Sequence, residues 1–133
     1  MRHIPLMVII LVVYNIVAFF YGAFLNQVLW QITLMSGAIW RFTGNDLLIS
    51  LAVIFLYLEL FKATKTSTAS ILDHGLSLAV FIIFLLEFAL VAEVGNSAFM
   101  IIMLMALLDV VAGFTITIST ARRDFGIGGH AVS

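Results

Sequence analysis

The chain has 133 residues, of which 64 % are hydrophobic and 10 % charged, with a net charge of −1. Soluble domains carry about 45–50 % apolar and about 25 % charged residues, so no water-facing surface hides this composition. It excludes a soluble globular domain, a disordered chain and a nucleic-acid binder, and leaves an integral membrane protein partnered by the lipid bilayer. The absence of Cys removes disulfides, thiolate metal sites and Cys nucleophiles.

A helix that crosses a bilayer needs about 20 mostly apolar residues. Four segments qualify, at roughly residues 4–25, 46–64, 73–95 and 97–120. The expected fold is therefore an all-α membrane protein, a four-transmembrane-helix up-down bundle forming a single domain over 1–121. In the first segment Arg2 is a weak positive start. The apolar stretch is longer than a signal-peptide core and lacks a small-x-small cleavage site, so it is expected to stay as a helix.

Between the first two segments lies the most patterned loop, about 28–43. Trp30, Ile32 and Leu34 alternate with Gln31, Thr33 and Met35, Ser36-Gly37 interrupts, and Ile39 to Thr43 is rich in β-branched and aromatic types. This is a β-hairpin pattern in the first extracytoplasmic loop. A turn centred on Ser36-Gly37 places Trp30 opposite Thr43, Ile32 opposite Arg41 and Thr33 opposite Trp40, but Ser-Gly is not the favoured two-residue turn and a loop longer by a residue or two stays open. Trp30 and Trp40 are the only tryptophans of the chain. Trp concentrates at membrane interfaces, so the hairpin is expected to lie over the outer mouth of the bundle as a lid. A docking surface for a partner is the alternative.

Asn45-Asp46 is the expected cap of the second helix. Near its end Glu59 precedes Lys62 by three residues, the spacing of an interfacial ion pair. The link 62–70 is polar and rich in Thr and Ser. Asp73 is the expected N-cap of the third helix, with His74 at the membrane surface. Only Gly95-Asn96 separates the third segment from the fourth, so these two helices form an antiparallel hairpin. The remainder, 122–133, contains Gly126, Gly128 and Gly129 and is expected to be a flexible cytoplasmic tail. Lys62, Lys65, Arg122 and Arg123 join Arg2 on one side of the bundle and only Arg41 opposes them, which puts both termini in the cytoplasm. The compact chain is expected in a bacterial inner (plasma) membrane.

An ionisable group at membrane depth is a functional candidate. Taking about 1.5 Å per residue from the cytoplasmic ends, Asn15 and Asp109 lie about 16 Å deep and Glu87 about 21 Å deep. No cation is expected at that depth, so the acids are expected as neutral, hydrogen-bonded groups with Asn15, Tyr14 and Tyr57 as partners. The intramembrane cluster is then Asn15, Glu87 and Asp109, with the first and fourth helices packed together through Asn15 and Asp109. It serves either as structural glue or as a proton or cation path.

No catalytic residue, cofactor or metal site is expected. There is no nucleophile–base pair, no ligand set and no phosphate loop, and no His reaches haem depth. The sequence points to a non-catalytic accessory, scaffold or assembly subunit, partnered by another membrane subunit or by further copies of itself. The alternative is a homo-oligomeric small transporter or channel that uses Glu87 and Asp109.

Overall fold

A computed structural model describes residues 4–65 and 70–132. The chain is mostly helical, with one two-stranded antiparallel sheet. Its elements are α1 (Met7–Phe20), α2 (Gly22–Asn26), β1 (Val28–Thr33), β2 (Ile39–Thr43), α3 (Gly44–Lys65), α4 (Ser70–Leu90) and α5 (Ser97–Val132). Three helices are long and apolar enough to cross a membrane, over Gly44–Lys62, Leu72–Leu90 and Ser97–Thr115. Each of these 19-residue stretches is about 29 Å long, the thickness of a hydrocarbon core.

The first segment is broken, where an unbroken helix is expected. At Tyr21 the backbone leaves the helical region (φ −136°, ψ 46°), and α2 follows as a separate short helix. No Pro marks the break. Gly44 N donates to Gln27 O at 3.1 Å, and a Cβ on Gly44 would strike the Phe24 carbonyl and sit 2.7 Å from Phe24 Cδ1. Beyond the break at Tyr21, α2 is seated against Gly44.

The hairpin forms, one residue out of the expected register. Trp30 pairs with Phe42, Gln31 with Arg41, Ile32 with Trp40 and Thr33 with Ile39. The turn is longer than Ser36-Gly37 alone. Leu34 N donates to Ala38 O and Gly37 N to Leu34 O, with Gly37 at φ 90°. Gly is suited to that left-handed conformation, and a three-residue loop shifts the pairing by one. A register irregularity between Val28 and Trp30 adjusts the base.

Strand β2 runs straight into α3. The cap is Thr43 rather than Asn45. Thr43 Oγ1 accepts from Asp46 N (3.3 Å) while Asp46 Oδ2 accepts from Thr43 N (3.0 Å), a reciprocal capping box. Helix α4 begins at Ser70, which places Asp73 in its first turn, and it stops at Leu90 instead of 95. Val91 is extended, a 3-10 turn covers Ala92–Val94, and Asn96 caps α5 by accepting from Phe99 N at 2.9 Å. Helix α5 continues over 122–132, where a flexible tail is expected. Each Gly there costs about 1 kcal/mol relative to Ala but does not end a helix as Pro does.

Helix α5 packs along both α3 and α4, and α1 lies against α3 and α4. The core is built from Met7, Ile10, Tyr14, Phe84, Val94, Phe99 and Ile102. The inward stripe of α1 is Met7, Ile10, Leu11, Tyr14 and Ala18. Tyr14, not Asn15, faces the centre, where its ring meets Phe99 edge-on at 5.1 Å. On α5 the small residues Ala106 and Gly113 line the buried side with Asp109.

Candidate polar site at one end of the helices

Three helices bring polar side chains together near the Lys62 end of α3. Helix α3 supplies Glu59 and Lys62, one turn apart. Helix α4 supplies Asp73, His74 and Ser77 from its first two turns. Helix α5 supplies Asp109. Glu59, Asp73, His74, Ser77 and Asp109 are all 4–6 % exposed, a depth of burial that charged residues reach only when they are partnered.

Glu59 is the hub. Its Oε2 accepts from Leu6 N at 3.1 Å and stands 3.4 Å from Lys62 Nζ. Leu6 immediately precedes α1, where backbone N–H groups have no partner inside the helix and the helix dipole favours an anion. Lys62 Nζ in turn donates to Ile4 O at 3.3 Å. Two residues of α3 thus hold the entrance of α1. Glu59 also lies within electrostatic reach of Asp109 and His74, and Lys62 within reach of Asp109.

On the other side, Ser77 hydrogen-bonds Asp109. One turn further along α5, the His74 ring lies on Gly113. A Cβ there would sit 2.7 Å from His74 Cε1 and 2.8 Å from Nδ1. Phe114 closes the edge, with its ring 5.2 Å from that of His74. Asp73 lies within electrostatic reach of His74. The site therefore places three carboxyl groups around one ammonium and one imidazole. Among the described residues no three His, Asp or Glu side chains are placed to hold a metal ion. Chemically, the arrangement fastens helices through charge-assisted hydrogen bonds and holds carboxyl groups away from water.

Of the three residues expected to cluster, only Asp109 belongs to this site. Asn15 is half-buried, and its Nδ2 donates to Leu11 O of its own helix at 2.8 Å. Glu87 is half-buried ten residues along α4 from Ser77, about 15 Å away along the helix axis. Its Oε1 is buried with no hydrogen-bond partner among the described residues. Tyr57 is exposed and stacks on Phe61. Tyr14 instead joins a second polar node, with its hydroxyl 2.8 Å from Asn45 Oδ1 and 3.0 Å from Asn96 Oδ1. That node ties α1 to the first turns of α3 and α5. Lys62 pairs with Glu59 as its spacing suggests. The side chains of Lys65, Arg122 and Arg123 lie outside the described residues.

A start of the third helix at the membrane surface makes Asp73 a cap and His74 a surface residue and gives Ser77 no role. Their spacing holds the signal. Residues 73, 74 and 77 share one helical face, and that face meets Glu59-x-x-Lys62 and Asp109-x-x-x-Gly113.

Trp30 and Trp40 do come together. Trp30 stacks on Phe42 at 4.1 Å with the planes 3° apart, and Trp40 meets both rings edge-on at 5.9 and 5.8 Å. The ribbon does not lie down on the helices. Only Leu29, Phe42 and Thr43, near its base, are half-buried, and its other residues are exposed.

No protein-family model, no curated protein and no solved structure matches this chain.

Proposed function

We propose that the chain is a non-catalytic accessory, scaffold or assembly subunit of a membrane complex, with four membrane-crossing segments and both termini on the cytoplasmic side. The observation that carries this reading is the mutual engagement of the buried polar groups. Glu59 is taken up by Leu6 N and Lys62, and Asp109 by Ser77. Groups satisfied within the chain hold helices in register, as polar residues in membrane bundles commonly do. The four-segment reading is supported by α1 and α2 together. α1 starts at Glu59, near the end of the α3 span, and α2 returns the chain to Gly44 at its beginning. Helix α1 alone rises about 21 Å over its 14 residues, and α2 carries the chain on to the Gly44 end. The basic residues support the orientation, with Lys62 at the end expected to be cytoplasmic.

A second reading, a homo-oligomeric transporter or channel for protons or cations, draws support from Glu87, whose buried Oε1 lacks a partner. Membrane acids of that kind mark ion paths in many proteins.

Gentle extraction from the native membrane followed by native mass spectrometry separates the two. Other chains retained in stoichiometric amounts are the expected result. A homo-oligomer alone, with proton flux abolished by Glu87→Gln in proteoliposomes, overturns the subunit reading.

A further inference from the structure

The hairpin carries two faces of different chemistry. In the observed register Trp30 lies across from Phe42 and Ile32 across from Trp40. Alternation adds Leu34 to the same face, which is entirely apolar. The other face carries Gln31, Thr33, Ile39 and Arg41, and Arg41 Nε donates to Gln31 Oε1 at 3.1 Å. Among the described residues the apolar face is left about half open: Trp30 is 44 % exposed, Trp40 42 % and Ile32 49 %.

We infer that this face docks on lipid, and that the ribbon lies flat in the membrane–water interface on the side where α3 begins. Three observations favour lipid over a protein as the occupant. First, the ribbon is fixed at the edge of a span. Gly44, its next residue, is the first residue of the apolar stretch Gly44–Lys62, and the Thr43–Asp46 box and the Gly44 N to Gln27 O bond leave no flexible linker. Second, exposed apolar side chains stand on both elements that flank the ribbon. Phe20 and Tyr21, which lead through α2 into β1, are exposed, as is Leu51 two turns into α3. Third, the composition suits that depth. Trp side chains favour the headgroup boundary, and an Arg on the opposite face reaches back to water. A two-stranded ribbon alone is marginal in water, and here the helices support only its base. Standing upright, a six-residue strand would project about 20 Å into water with its apolar face wet. Lying flat, that face enters the boundary between headgroups and chains, as the apolar face of an interfacial helix does.

Trp30 and Trp40 make the test direct, because all tryptophan emission of the chain comes from this face. The full chain is reconstituted, at about one copy per vesicle, in phosphatidylcholine brominated either near the headgroup or near the chain ends. Emission is expected to be lost to bromines near the headgroup, less to bromines near the chain ends, and little to aqueous acrylamide. Ile32→Asp, on the apolar face, is expected to open the tryptophans to acrylamide. Thr33→Asp, on the other face, is expected not to. Circular dichroism of both variants checks that the helices are intact, and the wild-type bromolipid pattern decides the question even where a variant does not fold. Strong acrylamide quenching without a bromolipid effect would place the ribbon in water and overturn the inference. Protection from both quenchers would place it against protein, which also overturns it. Neither result bears on which subunits accompany the chain.

Discussion

At the Lys62 end of the helices polar side chains are buried among apolar ones, whereas at the Gly44 end the aromatic side chains of the ribbon stand largely outside the helices. The two regions face opposite solvation problems. Glu59, Asp73, His74, Ser77 and Asp109 have left water, and Glu59 and Asp109 recover hydrogen bonds inside the chain. Trp30, Trp40 and Phe42 contact one another, but the helices cover little of them. Stability should therefore be concentrated at the first region and nearly absent from the second. Substitutions at the polar site should be felt by the whole bundle, and substitutions in the ribbon should be felt only locally.

The largest effect is expected at Glu59. Replacing one partner of a buried pair strands the other, at a cost of about 3 kcal/mol or more. Glu59→Leu removes the acceptor of Leu6 N and the partner of Lys62 together. Lys62 is 29 % exposed at its side chain and can turn partly to water, so about 3 kcal/mol, the low end, is expected. Reversible unfolding in mixed micelles measures it. The double variant Glu59→Leu with Lys62→Met should recover part of the loss, because no charge is left stranded. A double variant that is worse than the single would show that the pair does not act as a unit.

Next is Gly113→Ala. The added methyl meets the buried His74 ring at 2.7 Å, and overpacking of this kind costs about 2 kcal/mol. The same unfolding assay reads it. An unchanged midpoint would mean that His74 moves aside at no cost, and the polar site would then be looser than its burial implies.

These two substitutions also bear on what could be read before the structure. Glu59–Lys62 was legible because a helical pair needs only spacing. Asp109 was recognised as an interior acid but given the wrong neighbours. Depth counted along one helix does not say which turn of α4 faces Asp109, and in the fold that turn carries Ser77 rather than Glu87. The hairpin was legible from alternation, but its register depended on a turn length that Ser36-Gly37 does not specify. The break at Tyr21 carries no Pro or Gly-pair signal, and beyond it Phe24 fits against Gly44, a contact between distant residues.

A smaller effect, confined to the ribbon, is expected from Gly37→Val. At φ 90° a β-branched side chain costs about 1–2 kcal/mol locally. The tryptophan contacts, read by near-ultraviolet circular dichroism, should weaken while the unfolding free energy of the helices stays within about 0.5 kcal/mol of wild type. A matching fall in helix stability would break the contrast between the two regions, because it would show the ribbon supporting the bundle.

The smallest effect sharpens the contrast from inside the bundle. Tyr14→Phe keeps the ring against Phe99 and removes only the hydroxyl shared with Asn45 and Asn96. Hydrogen bonds between membrane helices contribute about 0.6 kcal/mol on average, so a loss of that size is expected. Asn15→Leu is the matched control, since Asn15 bonds only its own helix, at Leu11 O. It should cost nothing measurable. Hydropathy alone cannot separate these neighbours, because in a bilayer the outward face of α1 is as apolar as the inward one. If Asn15→Leu proved the more damaging, α1 would be turned by one residue, and Asn15 rather than Tyr14 would face α5. The polar node at the Gly44 end would then dissolve, leaving the Glu59 site as the main polar tie among the helices.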